Sequence, residues 1–315
     1  MSVAPALRAR VAPALPALRV LRFVLAVALV VAMGVIAARD VRWRTLSWSL
    51  LLPALFAIAG WWILLARGWS LLAAGRTSRR ELGMWCRTQV LRYLPGGIWA
   101  PTSRVALVGG SAFDRLATVA SENVVSLCAA LALGGVAMAA SGRPAWAVLV
   151  IALAVPVVGA RIAAGRTRVD TRRARRATVN GLAAFACYLT AAVLVQAAVS
   201  GSHETLLVAG AAGISWAVGL VVVITPSGLG ARELAYAGLL AGSFRHADLA
   251  AAAVVLRALT IGAELAILLT VGRPVPGTGR PDEDAFGRVR VAAEPSALSG
   301  TSERPSAFGH KVPGS

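Results

Sequence analysis

The stretch that decides the fold runs from residue 221 to residue 236 and reads VVVITPSGLGARELAY. Its apolar run is interrupted by six residues, which are Pro226, Ser227, Gly228, Gly230, Arg232 and Glu233. A backbone amide without a hydrogen-bond partner is costly in hydrocarbon, so non-helical backbone at membrane depth persists only where protein or water surrounds it. If the neighbouring chain spans a membrane, this interruption marks the interior of a helix bundle or a polar cavity.

The composition places the neighbouring chain in a membrane. Apolar residues make up 57% of the 315 residues and the mean hydropathy is +0.71, whereas soluble domains have roughly 45–50% apolar residues. Long apolar blocks joined by short arginine-rich connections predict one all-α, polytopic bundle over residues 17–272 in the cell membrane. Residues 1–16 are predicted to form an N-terminal tail. Residues 273–315, rich in Pro, Gly, Ser and charge, are predicted to form a disordered C-terminal tail.

Seven apolar segments are each near the roughly 20 residues that cross a bilayer as a helix. These predicted spans are 17–38, 46–66, 116–140, 144–163, 178–199, 205–224 and 248–272. The first also resembles a cleaved signal peptide, but the multi-span pattern behind it favours a retained signal anchor. Two further pieces, 82–112 and 225–241, are predicted to be broken or re-entrant. Even if fully helical, the second would be only about 25 Å long, against a hydrocarbon core of roughly 30 Å.

The arginines predict the orientation of the bundle. If segment 82–112 enters the membrane and returns, the N-terminal tail and the loops 67–80 and 164–177 share one side and hold 13 arginines. The other side then holds four, which are Arg39, Arg42, Arg44 and Arg143. If the segment crosses instead, the split is 8 against 9, so the positive-inside rule favours a re-entrant segment and a cytoplasmic N-terminus. The same rule explains the net charge of +18 without a nucleic-acid partner.

Two Pro-Gly breaks interrupt the apolar pattern. The first break is Pro95, Gly96 and Gly97, and the second break is Pro226, Ser227, Gly228 and Gly230. Each combines a residue that lacks an N–H with residues that allow unusual dihedral angles, which ends a helix inside a bundle. Each is followed by charged residues and by an apolar segment whose Arg and Glu lie seven positions apart. This pattern indicates a degenerate internal repeat, and such paired interrupted segments point to a transporter's binding site. The alternative is that both breaks are ordinary turns at the membrane surface.

Candidate binding residues follow from the cost of burying charge. A charge at the centre of a membrane helix costs roughly 2.5–3.5 kcal/mol on insertion scales, so such residues face the bundle interior and find partners. The six candidate substrate-binding residues are Arg104, Glu122, Arg232, Glu233, Arg257 and Glu264. Arg257 and Glu264 are about 10 Å apart along a helix, which favours contact with Arg232 or Glu233 over a direct pair. A static ion pair that holds helices together is the alternative to a binding role.

The motifs around the two breaks resemble the transmembrane region of the lysylphosphatidylglycerol synthase/flippase family. The resemblance rests on YLPGGIW at 93–99 with Arg104, and on PSGLGARE at 226–233 with Arg257. It covers about residues 80–270. It implies a lipid-handling bundle with two re-entrant elements, which in two-domain members moves aminoacylated lipid between leaflets.

The chain departs from this family in two respects. Members commonly carry a Glu-Arg pair in the helix after the first motif, whereas Asn123 follows Glu122 here and Arg115 is the candidate replacement. The aminoacyl-transfer reaction of the family belongs to a soluble C-terminal domain, and the 43 residues after 272 are too few for one. The resemblance therefore implies no enzyme activity.

The leading hypothesis is a lipid translocase that passes a headgroup through a polar cleft while the acyl chains stay in the bilayer. The candidate arginines would meet phosphate, and the candidate glutamates would balance them or accept a cationic headgroup. The alternative is a non-transporting partner or regulator of an envelope glycosyltransferase or lipid-modifying enzyme. An embedded enzyme is disfavoured because no catalytic constellation is present at useful spacing. No cofactor or metal is expected, since the three Cys and three His are isolated, and no GxxxxGK[ST] motif supports ATP hydrolysis. The lipid, the direction of movement and the oligomeric state stay open.

Overall fold

The computed structural model describes residues 35, 39, 46–93, 99–107, 112–143, 171–222, 228 and 230–271, and the elements below lie within these ranges. The regular elements there are helical, as the composition predicts. They are α1 (Trp48–Ala74), α2 (Arg79–Gln89), a 3₁₀ turn (Val90–Tyr93), α3 (Trp99–Leu107), α4 (Ala112–Ala140), α5 (Thr171–Ser200), α6 (Thr205–Val221), α7 (Ala231–Leu239) and α8 (His246–Val271).

Among the described residues, four helices are long and apolar enough to cross a membrane, namely α1, α4, α5 and α8. This is the pattern of an integral membrane protein. α1 and α5 extend beyond the predicted spans 46–66 and 178–199 into segments expected to be loops. α1 continues because Trp69 and Leu72 are buried and prolong its packing face. The predicted spans 17–38 and 144–163 lie outside the described residues, apart from residue 35, as do both predicted tails.

Contacts at the helix termini define two ends of the helix group. At the Ser47 end, the Ser47 amide donates to the carbonyl of Ala198 near the C-terminus of α5 (3.2 Å). At the Gly75 end, the guanidinium of Arg173 near the start of α5 lies against Gly75, which follows α1. α1 therefore runs from the Ser47 end to the Gly75 end, and α5 runs back.

The same kind of contact orients α4 and α8. Gly210, shortly after α5, lies against Met138 near the C-terminus of α4, so α4 ends at the Ser47 end. At the other terminus, a Cβ placed on Gly83 of α2 would lie 3.1 Å from the carbonyl oxygen of Val271, the last residue of α8. Because α2 directly follows Gly75, α8 ends at the Gly75 end and runs parallel to α1.

The short helices α2 and α3 start from and return to the Gly75 end. α2 begins four residues after Gly75, and α3 ends five residues before α4 begins at the same end. The two helices contact each other. With 11 and 9 residues they are about 16 and 14 Å long, too short to cross a core of roughly 30 Å. We call α2, the 3₁₀ turn and α3 together the first hairpin.

α6 and α7 form a second pair of this kind at the Ser47 end. α6 begins five residues after α5 ends, and Gly219 of α6 lies against the Cβ of Arg232 in α7, so the chain turns back between them. α7 ends near Arg143, which follows α4 and donates to the Leu239 carbonyl (3.4 Å). We call α6 and α7 together the second hairpin.

The second hairpin differs from the full span predicted at 205–224. α6 has 17 residues and is about 25 Å long, and the chain returns to the end from which it came. The described helix ends at Val221, three residues before the end of the predicted span.

Glycines bring the second hairpin close to α4. A Cβ on Gly213 of α6 would lie 2.7 Å from the Cα of Gly134 in α4 and 2.7 Å from the carbonyl oxygen of Ala130. Backbones that approach this closely leave no room for a side chain, which is the usual role of small residues between membrane helices. This contact fixes α6 and therefore helps to position the hairpin that carries the second break.

An aromatic cluster joins α1 to α5 in the core. Trp61 lies 5.0 Å from Tyr188 and 4.8 Å from Trp62 between ring centroids, and Phe185 packs edge-on against Trp216 of α6 at 4.6 Å. Aromatic pairs of this kind contribute about 0.5–1.5 kcal/mol beyond their area burial. The cluster holds Tyr188 where it meets the second hairpin.

Candidate functional site

Both carboxylate oxygens of Glu122, in α4, accept hydrogen bonds from the first hairpin. Trp85 of α2 donates its indole N–H to Oε1 (2.6 Å), and Arg104 of α3 donates to Oε2 in an ion pair. Arg104 is only 4% exposed, and its Nε also donates to the Ala100 carbonyl (3.2 Å). Its guanidinium lies 5.5 Å from the centroid of the Trp69 ring. The pair is thus enclosed by apolar surface and hydrogen-bonded on both sides.

Glu264, in α8, forms a second ion pair with the first hairpin. Its partner is Arg92, which lies in the 3₁₀ turn before the first break and donates to Oε2 (2.7 Å). The Arg92 guanidinium lies 4.5 Å from the centroid of the Trp62 ring in α1. Trp62 in turn donates its indole N–H to the Thr260 carbonyl of α8 (3.3 Å). This arrangement joins α1, the first hairpin and α8.

The two ion pairs lie on either side of a tryptophan contact. The rings of Trp62 and Trp85 meet edge to face with their centroids 5.4 Å apart. A cavity of about 10 Å³ beside them is lined by both rings, Cys86, Gln89, Glu264 and Ile267. The arginines on each side of the first break are therefore paired with glutamates from two different membrane-crossing helices.

The second break is built from glycines in the left-handed region. Gly228 and Gly230 have φ of +68° and +85°, a conformation that L side chains rarely adopt. A Cβ on Gly228 would also lie 2.6 Å from the carbonyl oxygen of Gly219. The amide of Gly230 donates to Oε2 of Glu233 (2.8 Å), which places a carboxylate at the positive N-terminus of α7. The second break thus starts a short helix whose first turn carries its own acidic cap.

A cavity lies where the second hairpin meets α5 and α8. Its polar lining residues are Tyr188, Ser215, Arg232, Glu233, Tyr236, Arg257 and Thr260. Arg232 donates to the Tyr188 hydroxyl, and its guanidinium lies 4.8 Å from the centroid of the same ring. Ser215 and Thr260 donate to backbone carbonyls of their own helices, which leaves their oxygens able to accept hydrogen bonds from a cavity occupant. The walls carry two arginines and one glutamate, a positive formal balance.

The volume of this cavity is about 20 Å³. On this measure a single water needs roughly 10–15 Å³, so the cavity holds one water and no phospholipid headgroup. The cavity in the described conformation is therefore too small for a headgroup, and a larger ligand requires the second hairpin to move relative to α5 or α8.

The structure distributes the six predicted site residues over three places. Arg232, Glu233 and Arg257 line the cavity, Arg104 and Glu122 form one ion pair, and Glu264 pairs with Arg92. Arg257 lines the same cavity as Arg232 and Glu233, and the contact expected between them stays a prediction. The partner expected for Glu264 was Arg232 or Glu233, and the structure adds Arg92, which was not singled out from the sequence. Arg104 is the ion-pair partner of Glu122, and the replacement of the family's arginine at position 123 by Arg115 stays a prediction.

Sequence reasoning missed Arg92, Trp85 and Tyr188. Arg92 had a readable signal, since it is a charge three residues before Pro95 in the first motif. Trp85 and Tyr188 had none, because a buried aromatic residue that donates or accepts one hydrogen bond has the same local sequence as a packing residue.

Of the seven break residues, Gly228 and Gly230 are described and adopt the predicted conformation. The other five lie outside the described residues, and they are Pro95, Gly96, Gly97, Pro226 and Ser227.

Replacing Gly228 with alanine is expected to lower the free energy of unfolding by roughly 2 kcal/mol or more. The left-handed conformation costs an L residue about 1–2 kcal/mol, and overpacking against Gly219 adds about 1–3 kcal/mol. Thermal unfolding of the purified protein in detergent measures the change. Gly238→Ala is the matched control, because a Cβ there meets nothing within 4 Å. Equal stability of both variants would contradict the described geometry of the second break.

Neither a scan against protein-family models nor a search of curated proteins finds a match to this chain.

Proposed function

We propose that this integral membrane protein is a lipid translocase that moves a phosphate-bearing headgroup through a polar cleft while the acyl chains remain in the bilayer. The observation that supports it is the cavity lined by Arg232 and Arg257, which is built on a broken helix and lies between apolar helices. A charged side chain within a membrane helix costs several kcal/mol of insertion free energy. Apolar residues at these positions would pack the bundle without that cost.

The two hairpins are re-entrant in this proposal. The first enters from the Gly75 end and is followed by α4, which crosses to the Ser47 end; the second enters from the Ser47 end and is followed by α8, which crosses the other way. This order is an inverted repeat of hairpin and crossing helix, the arrangement that places transporter sites near the bilayer midplane. With the predicted spans 17–38 and 144–163, this proposal has six crossings, and the Gly75 end, at which α1 and α8 end, is the side that the arginine distribution makes cytoplasmic.

The residues have separate roles in this proposal. Arg232 and Arg257 bind the headgroup phosphate, for which the planar guanidinium is well suited. Tyr188 orients Arg232 through its hydroxyl and its ring. Glu233 fixes the start of α7 and so positions Arg232 next to it. The ion pairs of Glu122 and Glu264 hold the first hairpin against α4 and α8 while the second hairpin moves.

The small volume of the cavity and the short length of α7 support movement of the second hairpin in this proposal. α7 has only 9 residues, and Arg143 donates at the Ser47 end to the carbonyl of Leu239 and to the hydroxyl of Ser243 at 3.4 and 3.5 Å. These are long hydrogen bonds. Their loss frees α7 to tilt, which would open the cavity toward one membrane surface. The resemblance of PSGLGARE to the lysylphosphatidylglycerol synthase/flippase transmembrane region agrees with a lipid substrate.

Lipid movement by the purified protein tests the proposal. Vesicles with trace acyl-labelled fluorescent phosphatidylglycerol, phosphatidylethanolamine or phosphatidylcholine are treated with an impermeant quencher, which reaches only the outer leaflet. In protein-free vesicles the quencher should remove only the fluorescence of the outer leaflet. In protein-containing vesicles we expect it to remove more than this fraction for at least one of the three lipids. Arg67→Ala, which changes an exposed arginine of α1, serves as the matched active control. Movement of none of the three lipids would reject the translocase and favour the non-transporting partner.

A further inference from the structure

Seven arginines form an exposed patch at the Gly75 end that the proposed transport mechanism does not use. They are Arg76, Arg79, Arg80, Arg172, Arg173, Arg175 and Arg176, which we call the basic patch, and all seven are exposed. They come from two parts of the chain about a hundred positions apart. The structure brings the two parts together, because a Cβ on Gly75 would lie 2.6 Å from Nε and 2.7 Å from Cζ of Arg173.

The patch lies at the level where lipid headgroups begin. α1, which is long and apolar enough to cross a membrane, ends at Ala74, immediately before the first group of arginines. α5 is also long and apolar enough, and the second group of arginines occupies its first turns. A patch at the ends of two apolar helices is adjacent to the polar surface of the leaflet, whichever leaflet that is. Its neighbours in the assembled membrane are therefore lipid phosphates.

The local charge arrangement is unfavourable for the protein alone. Four of the arginines occupy the first turns of α5, where the helix N-terminus already has a positive partial charge, and no acidic residue lies in that first turn. Like charges this close repel one another, and bound anions remove that repulsion. The positive-inside rule explains which side such arginines occupy, but it does not require them to gather on one surface.

We infer that the basic patch is a binding surface for the headgroups of anionic phospholipids, separate from the cavity of Arg232. Each arginine near an anionic membrane surface contributes about 1 kcal/mol, or roughly fivefold in affinity. Anionic lipids held at the Gly75 end surround the first hairpin where it starts and fix the depth of α1 and α5 in the leaflet. This inference does not depend on whether the protein transports lipid.

Lipid retention by the intact protein tests this inference. The protein is reconstituted in vesicles of equal parts phosphatidylglycerol and phosphatidylcholine, extracted in mild detergent and analysed by mass spectrometry for both lipids. We expect the wild type to retain an excess of phosphatidylglycerol. A four-glutamine variant changes Arg172, Arg173, Arg175 and Arg176 to glutamine. We expect its excess to be lower by about tenfold or more, because each arginine contributes roughly fivefold in affinity. Extraction at 1 M salt is expected to reduce the wild-type excess as well, because the Debye length falls to about 3 Å and the attraction between arginine and phosphate weakens.

Three further variants make the result specific. Changing the same four arginines to lysine should keep most of the excess, because the charge is retained. Arg245→Gln, an exposed arginine at the Ser47 end, should keep it fully, and Arg232→Ala, in the cavity, should keep the part of the excess that the basic patch holds. The inference is overturned if the wild type shows no excess of phosphatidylglycerol, or if the four-glutamine variant, with an unchanged unfolding temperature, keeps it. Loss of the phosphatidylglycerol excess in Arg232→Ala, but not in the four-glutamine variant, would assign the binding to the cavity and would also overturn the inference.

Discussion

Arg104→Ala is expected to lower the free energy of unfolding by about 3–5 kcal/mol, the cost of leaving a buried charge without its partner. Among the residues that the structure describes, Glu122 would then keep the indole N–H of Trp85 as its partner, in a site next to apolar helices. The unfolding temperature of the purified variant in detergent, compared with that of the wild type, measures the effect. Arg67→Ala is the control. Because Arg67 is exposed, the free energy of unfolding of this variant should lie within about 0.5 kcal/mol of the wild-type value.

A second substitution tests whether the destabilisation by Arg104→Ala comes from the unpaired charge of Glu122. Glu122→Gln in the Arg104→Ala background removes the uncompensated charge but keeps an oxygen that accepts from Trp85. We expect this double variant to recover much of the lost stability. An Arg104→Ala variant with wild-type stability, or a double variant less stable than the single one, would contradict the role of this pair in holding the first hairpin to α4.

Arg232→Ala is expected to abolish most lipid movement while the bundle stays folded. Hydrogen bonds to a charged group contribute about 1.5–3 kcal/mol, so losing them to the substrate phosphate lowers the rate by roughly 10- to 150-fold. Arg232 donates to the hydroxyl of Tyr188 and lies over its ring, and the loss of these contacts leaves a neutral side chain on Tyr188. The quencher assay in vesicles measures the rate, and the unfolding temperature measures the fold.

Two results would change the assignment of Arg232. Normal lipid movement by Arg232→Ala would remove this residue from the mechanism. Loss of folding in Arg232→Ala that is restored by adding Glu264→Gln would assign Arg232 to a static ion pair with that glutamate. Arg245→Ala is the matched control for charge removal, because Arg245 is exposed and lies outside the cavity.

The helical membrane architecture follows from the sequence because burial in a bilayer leaves a strong local signal. Uninterrupted apolar segments placed α4 and α8 within a few residues of their observed bounds, since nothing but length and hydropathy decides them. The second hairpin was partly predictable: the residues around Gly228 indicated a break, and both described glycines have the left-handed conformation. The direction in which α6 and α7 run was not predictable, because it depends on contacts such as Gly219 with Arg232 and Gly134 with Gly213.

The sequence identified the charged residues of the candidate site, but it did not identify which of them pair with each other. Membrane-buried charge is rare enough that Glu122, Arg257 and Glu264 stand out in the sequence. Which arginine meets which glutamate depends on how the first hairpin folds back, and this brings Arg92 to Glu264 across 172 positions of the chain. Helical spacing alone carries no information about such a contact, so residues on the hairpins had to be placed by the structure.

The most direct test of the account is to locate the headgroup inside the protein. A phospholipid with a photoreactive group on its headgroup is irradiated in vesicles with the wild-type protein, and the modified peptides are mapped by mass spectrometry. The account predicts labels on the cavity-lining parts of α5, α7 and α8, around Tyr188, Tyr236 and Thr260, and their loss in Arg232→Ala. Labels confined to the exposed ends of the helices, with none on these cavity residues, would contradict the passage of a headgroup through the cavity.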